Sequence, residues 1–234
     1  MNHESHEEIP LTGGRVTKGV VKKGKFVYRP CCCNYKFVHN VLLWLESRDE
    51  TISPHFKGIN NDGREITTFL EGNSPDNLGE FSEEQLYEAG KLIKRLHIYL
   101  SDFPGCKKGQ TVCHLDLSPC NFMFLNKKPY AIFDWDSAKI GDPKDDLAYA
   151  IWMWCDIGYS KQEQKLVNEK IKNIIKGYEI DSFNLKDRII SQMDRAFDQS
   201  WETEKQKREF QEWVINCKKW LIMNSEIFFN NVFG

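Results

Sequence analysis

The chain has 234 residues, 41% of them hydrophobic and 28% charged, with a formal net charge of -2. This length can bury a sizeable core as one domain or two packed lobes, and the balanced charge lacks the basic excess that phosphate-backbone binding exploits, which argues against a nucleic-acid partner. Met1 to Pro10 is polar and acidic, and no stretch reaches the roughly 18 uninterrupted apolar residues of a membrane span, so a soluble, cytoplasmic chain with no membrane partner is expected.

Residues 1–70 read as strands and turns interrupted by one helix. Lys23-Gly24 and Asp62-Gly63 supply turn chemistry between short β-rich runs. Val20-Val21 and Phe26-Val27-Tyr28 are expected to pair across the first turn, and Glu65 to Phe69 to form the strand after the second. Between them Phe37, Val38, Val41, Leu42 and Leu45 recur at helical spacing, which predicts an amphipathic helix from Tyr35 to Arg48. The eight cysteines never take Cys-x-x-Cys spacing and are read as reduced thiols. The run Cys31-Cys32-Cys33 is unusual, but adjacent cysteines rarely converge on one ion without a second cluster of ligands.

Glu71 to Asp76 is polar, turn-rich and without periodicity, and marks the expected boundary between an amino-terminal lobe, 1–70, and a carboxy-terminal lobe, 71–234. Ser82 with Gln85 makes a capping-box pattern, and Leu86, Ala89, Ile93, Leu96 and Leu100 continue one apolar face, predicting a helix from Glu83 to Leu100. Three short apolar runs follow, Thr111 to Cys113, Phe122 to Leu125 and Tyr130 to Phe133, the last two joined by an Asn126 to Pro129 turn. From Lys144 onward the pattern is helical. The fold class expected is α+β.

The densest chemical signal is His114-Leu115-Asp116-Leu117-Ser118-Pro119-Cys120-Asn121, with Ile132-Phe133-Asp134-Trp135-Asp136 at the end of the hairpin that follows. A single Asp in a loop is usually a turn or cap residue, so the weight rests on the set. Asp116 lies in a loop held by Pro119, Asn121 opens one strand, and Asp134 closes the returning one. Oxygen donors of this kind suit a hard cation such as Mg²⁺, which keeps several waters and is completed by phosphates. Asp116 is then free to accept a proton from an attacking hydroxyl. Asp136, two residues beyond Asp134, is a secondary candidate.

This segment resembles the H-x-D-x-x-x-x-N loop and the following metal-binding Asp of the aminoglycoside phosphotransferase and choline kinase group. The resemblance runs through Gly141-Asp142-Pro143, Asp145-Asp146-Leu147-Ala148 and Leu96-His97, and so spans Ser82 to Ala150. It implies a protein-kinase-like two-lobed fold with a reduced, β-rich first lobe and a mostly helical second. It implies transfer of a phosphoryl group from ATP or GTP, with Mg²⁺, to a small hydroxylated, aminoglycoside-like or amino-alcohol substrate. By the same resemblance Asp116 is the catalytic base, Asn121 and Asp134 hold the metal, and His114 and Asp146 brace the catalytic loop.

The first lobe departs from that group. No G-x-G-x-x-G loop is present, and Gly13-Gly14 is the candidate phosphate cover. Arg29 stands where a phosphate-pairing lysine is usual and can still pair bidentately, while the next helix offers only Glu46, near its end, as a carboxylate partner. Asp194, Asp198 and Glu202 are spaced to make an acidic stripe along one helix, either a dock for a cation or a solvated face. Aromatic residues from Trp201 to Phe233 read as core. Two other readings stand beside the kinase: a kinase-like binding or immunity protein without significant catalysis, and a non-haem iron site built on His114-x-Asp116 with a distant histidine.

Overall fold

The computed structural model describes residues 7–11, 19–49, 51–158, 163–181, 183–198, 201 and 203–224. An antiparallel sheet comes first, with strand order β1-β2-β3-β5-β4. Its strands are β1 (Ile9–Pro10), β2 (Val21–Lys23), β3 (Phe26–Pro30), β4 (Phe56–Ile59) and β5 (Arg64–Thr68). Lys23 pairs with Phe26, so only Gly24 and Lys25 close the first hairpin, and Gly24 takes the positive φ of +59° that so tight a turn requires. The second turn is tied by the Asn60 side chain, which accepts from the backbone N–H groups of Asp62 and Arg64. Sequence spacing did not single out β1 or β4. Both are edge elements, and β4 carries a register shift between Phe56 and Gly58 that breaks the alternation on which strand reading depends.

Helix α1 (Tyr35–Glu46) packs Val38, Val41, Leu42 and Leu45 into the core. It stops two residues short of the predicted Arg48, because Arg48 N–H turns back to the Leu45 carbonyl in a tighter closing turn. The segment after it docks on the rest of the molecule, with Ile132 N–H donating to the Ile52 carbonyl at 2.9 Å. The polar stretch from Glu71 is likewise pinned: Asn73 and Phe124 exchange backbone hydrogen bonds of 3.1 and 2.8 Å.

Helix α2 (Glu83–Ser101) begins with the expected capping box of Ser82 and Gln85 and buries the predicted face. It lies against α4 (Gln164–Tyr178) with glycine meeting backbone on both sides. A Cβ on Gly90 would fall 2.2 Å from the Ile174 carbonyl oxygen, and one on Gly177 would fall 2.0 Å from that of Tyr87. Strand β6 (Thr111–Cys113) pairs with β9 (Lys139–Gly141), and β7 (Phe122–Leu125) with β8 (Lys128–Ile132). The β7–β8 turn is shorter than predicted. Asn126 and Lys127 both take positive φ and close the hairpin alone, so Lys128 and Pro129 already belong to the strand.

Helix α3 (Pro143–Trp154) starts from Asp142, whose side chain caps Lys144 N–H, and has Pro143 at its first position. It is apolar and buried almost all round, with Trp152 and Trp154 among the largest fully buried side chains. Helices α5 (Leu185–Phe197) and α6 (Glu204–Met223) complete the second part, with Trp152 stacked on Trp213 of α6 at 5.1 Å between ring centroids. The architecture is α+β.

Among the described residues the acidic stripe does not run along one helix. Helix α5 ends at Phe197, so Asp198 caps rather than continues it, and Asp194 pairs with Lys218 on α6 at 2.6 Å. Glu202 lies outside the described residues. The eight cysteines are all free. No helix among the described residues is long and apolar enough to cross a membrane.

Candidate active site

The centre of the site is a loop hung on one buried carboxylate. Asp146, in the first turn of α3, is fully buried and accepts from His114 N–H and Leu115 N–H, each at 2.6 Å, and lies 3.1 Å from His97 Nε2. His97 in turn meets the Tyr178 hydroxyl at 2.8 Å, so both of its ring nitrogens have partners. Leu115 adopts φ +62°, unusual for a leucine, and its carbonyl accepts from Arg195 Nη2 at 2.6 Å. The loop is thus held directly from α3 and α5, with α2 bracing Asp146 through His97.

His114 is wholly buried and used at both ring nitrogens. Nε2 donates to the Phe133 carbonyl at 2.9 Å, and Nδ1 accepts from Asp116 N–H at 3.2 Å. Neither nitrogen is left for iron, which removes the ligand on which the non-haem reading depended.

Asp116 projects from this loop with one carboxylate oxygen held by two hydroxyls, Ser118 Oγ at 3.0 Å and Tyr149 OH at 2.9 Å. Burial, and then the charge of Asp116, push the Tyr149 phenol well above its ordinary range, so it stays a donor. Asn121 ends a short 3₁₀ turn, Pro119–Asn121, and its Nδ2 donates to the Asp116 carbonyl at 2.8 Å. Phe133 N–H donates to the Asn121 carbonyl at 3.0 Å, which sets Asn121 beside Asp134.

Asp134 takes a left-handed conformation, φ +65° and ψ +62°, and the chain leaves the strand into the turn Trp135–Ser137. Asp136 lies in that turn. It joins Asp134 on one guanidinium: Arg29 Nη1 donates to Asp134 Oδ1 at 3.0 Å and Nη2 to Asp136 Oδ2.

The partner of Arg29 within the sheet is Glu65 of β5, not Glu46. Glu46 faces Lys57 at 2.8 Å and His55 at 3.3 Å. Arg29 and Glu65 are directly opposed in the β3–β5 register, with Nε 3.1 Å from Glu65 Oε1. That approach is close but not directed as a hydrogen bond, so it counts as charge contact. Glu65 Oε2 lies 2.7 Å from His39 Nε2, whose ring stacks on Phe56 with centroids 3.7 Å apart. Burial works against the charge on Arg29, but Asp136, Asp134 and Glu65 together outweigh it and hold the guanidinium firmly protonated. Burial pushes the Asp136 carboxyl up, and Arg29 opposes that shift. Gly13 and Gly14 lie outside the described residues.

The donor chemistry fits a hard divalent cation. Asn121 spends its amide nitrogen on Asp116, so its oxygen, met among the described residues only by the Cys120 thiol at 3.9 Å, is the atom left to coordinate. Asp134 and Asp136 already embrace a cationic group.

Residues 100–168 match the model of a phosphotransferase enzyme family. No curated protein matches the chain. Among solved structures, it is similar to an amicoumacin kinase in complex with AMP-PNP and Ca²⁺, with TM-score 0.64 and 10% identity, covering 91% of this chain and 88% of that one. The gentamicin complex of APH(2″)-IIa gives 0.58 and 14%, covering 97% and 94%. A choline/ethanolamine kinase family protein from Mesorhizobium loti gives 0.57 and 14%, covering 98% and 92%. The fold is therefore the protein-kinase-like one of these small-molecule kinases, and the stretch that bears Asp116, Asn121 and Asp134 carries the pattern of a phosphotransferase enzyme family.

Proposed function

We propose that the protein is a nucleotide-dependent small-molecule kinase that moves the γ-phosphoryl group of ATP or GTP to a hydroxyl of an aminoglycoside-like or amino-alcohol acceptor in the cytoplasm. The observation that carries this reading is the Asp116 carboxylate, held by two hydroxyls and set beside Asn121 and Asp134 inside the family-matching segment. In this reading residues 1–70 form the nucleotide-covering lobe and residues 71–234 the catalytic and acceptor lobe. Asn121 and Asp134 would hold Mg²⁺, which, when bound, supplies neutralisation of the phosphate charge. Asp116 aligns the acceptor hydroxyl and takes its proton, while His114 and Asp146 keep the loop in shape. Positioning and charge neutralisation are most of what such transfer demands of a protein. Screening hydroxylated metabolites and antibiotics for phosphorylation with ATP and with GTP tests the reading, and no product from any acceptor would count against it.

The alternative, a kinase-like binder, draws on one feature: Arg29 occupies both Asp134 and Asp136. Nucleotide titration with and without Mg²⁺ separates the two, since a kinase binds nucleotide better with the ion. Asp134→Ala is expected to remove the Mg²⁺ enhancement seen by calorimetry, with the thermal unfolding midpoint little changed. Equal affinity of wild type and Asp134→Ala in Mg²⁺ would refute the metal assignment.

Arg29 is assigned to the nucleotide phosphates, Gly13 and Gly14 to their cover. Hydrogen bonds to charged groups contribute about 1.5–3 kcal/mol, so Arg29→Ala is expected to weaken nucleotide binding by roughly 10–100-fold. Arg29→Lys should restore only part of that, because a point charge replaces a two-pronged fork. Unchanged binding in both variants would move the phosphate contact elsewhere.

A further inference from the structure

The proposed transfer assigns no role to the run Cys31-Cys32-Cys33, and adjacent thiols alone do not make an ion site. The fold supplies what the run lacks. Cys31 stands just past the end of β3, His39 projects from α1, and Glu65 from β5, and one ligating atom of each lies within 4.8 Å of the other two. His39 and Glu65 are buried, while Cys31 is partly open to solvent.

We propose that Cys31, His39 and Glu65 form a zinc site in the amino-terminal sheet, separate from the Asn121–Asp134 pair. A thiolate, an imidazole and a carboxylate are the borderline-soft donor set that Zn²⁺ favours over Mg²⁺ or Ca²⁺. Zinc bonds of about 2.0–2.3 Å set tetrahedral ligand atoms roughly 3.3–3.8 Å apart. The His39–Glu65 contact of 2.7 Å opens slightly and the wider separations close by up to about 1 Å, shifts within reach of side-chain rotation. Cys31 Sγ donates to the Gly63 carbonyl at 3.4 Å, a weak contact that costs little to give up.

The charges around the site suit a zinc ion. Each Glu65 oxygen has its own neighbour: Oε2 faces His39 and the ion, while Oε1 stays against Arg29. A carboxylate ligand oriented by a guanidinium is an ordinary outer-shell arrangement. With a thiolate and a carboxylate the complex carries no net charge, so it does not repel Arg29, which also keeps Asp134 and Asp136 as counter-ions. Binding releases the one thiol proton to solvent and moves the imidazole proton from Nε2 to Nδ1. Water fills the fourth position on the open side of Cys31. Such a closure would tie β3, α1 and β5 together.

The test is titration of the chelator-washed full chain with Zn²⁺ alone, together with Co²⁺ substitution. One equivalent is expected per chain, with a thiolate-to-cobalt charge-transfer band in the Co²⁺ form. Cys31→Ser should weaken zinc binding at least about 10–100-fold and abolish the band, and Cys33→Ser should change neither. His39→Gln should weaken binding similarly. If that variant misfolds, the partly exposed Cys31 and the cobalt spectrum decide the matter alone. No zinc at stoichiometric levels, or binding that survives Cys31→Ser but is lost in a Cys32→Ser and Cys33→Ser double variant, would overturn the proposal. No nucleotide or acceptor enters the experiment, so it stands or falls apart from the kinase reading.

Discussion

Asp116→Asn is expected to lower turnover by about 10²–10⁴-fold while leaving nucleotide affinity nearly unchanged. Asparagine keeps the size of the side chain and still accepts from Ser118 and Tyr149 through its oxygen. It cannot take a proton from the acceptor. Nucleotide affinity is spared because the side chain is tied to hydroxyls, whereas Asp134 and Asp136 face Arg29. An acceptor found in the screen provides the assay, and slow nucleotide hydrolysis by water serves in its absence. Turnover within a few-fold of wild type would show that Asp116 is not the base. A wild type as slow as the variant would favour the binding-protein reading instead.

Asp146→Ala is expected to destabilise the fold strongly. Three groups meet its carboxylate in a fully buried place: His97 Nε2 and the backbone N–H groups of His114 and Leu115. Removing one partner of a buried charged network leaves the rest unpaired and typically costs about 3–5 kcal/mol. For a chain of this length that corresponds to a fall of roughly 6–20 °C in the unfolding midpoint. Asp146→Asn should fall between, since its amide presents a donor to groups that are themselves donors. A midpoint within about 2 °C of wild type for Asp146→Ala, set against that scale, would mean that the loop holds its shape by other contacts.

Residues whose partners are near in sequence, or whose spacing is regular, could be read before the structure. The α2 start followed from Ser82 and Gln85, and β6 and β7 from apolar runs bounded by turns. The spacing of Asp116, Asn121 and Asp134 told which side chains one loop and hairpin would bring together. What could not be read depends on conformation at single residues or on pairing between distant ones. Asp136 joins Asp134 on Arg29 from a turn that the chain enters through a left-handed Asp134, a conformation its identity does not announce. Glu65 faces Arg29 only through the β3–β5 register, and a search confined to the next helix finds Glu46, which is engaged elsewhere. Strand β9 is three residues with no alternation to detect, and it exists because β6 needs a partner.

The direct opposition of Arg29 and Glu65 restricts where the chain can change length. Side chains alternate faces at every residue of a strand, so one residue inserted within β3 ahead of Arg29, or within β5 ahead of Glu65, sends the altered member of the pair to the other face of the sheet. In the β3 case the contacts with Glu65, Asp134 and Asp136 are lost together. Two inserted residues restore the face but displace the side chain by roughly 7 Å along the strand, too far to reach the same carboxylates. Insertions at Gly24-Lys25 or between Asn60 and Gly63 leave the opposition alone, because the added residues loop out beyond the paired rungs. Length variants built by inserting single alanines along residues 20–68 should therefore keep nucleotide binding at those two turns and lose it between Phe26 and Arg29.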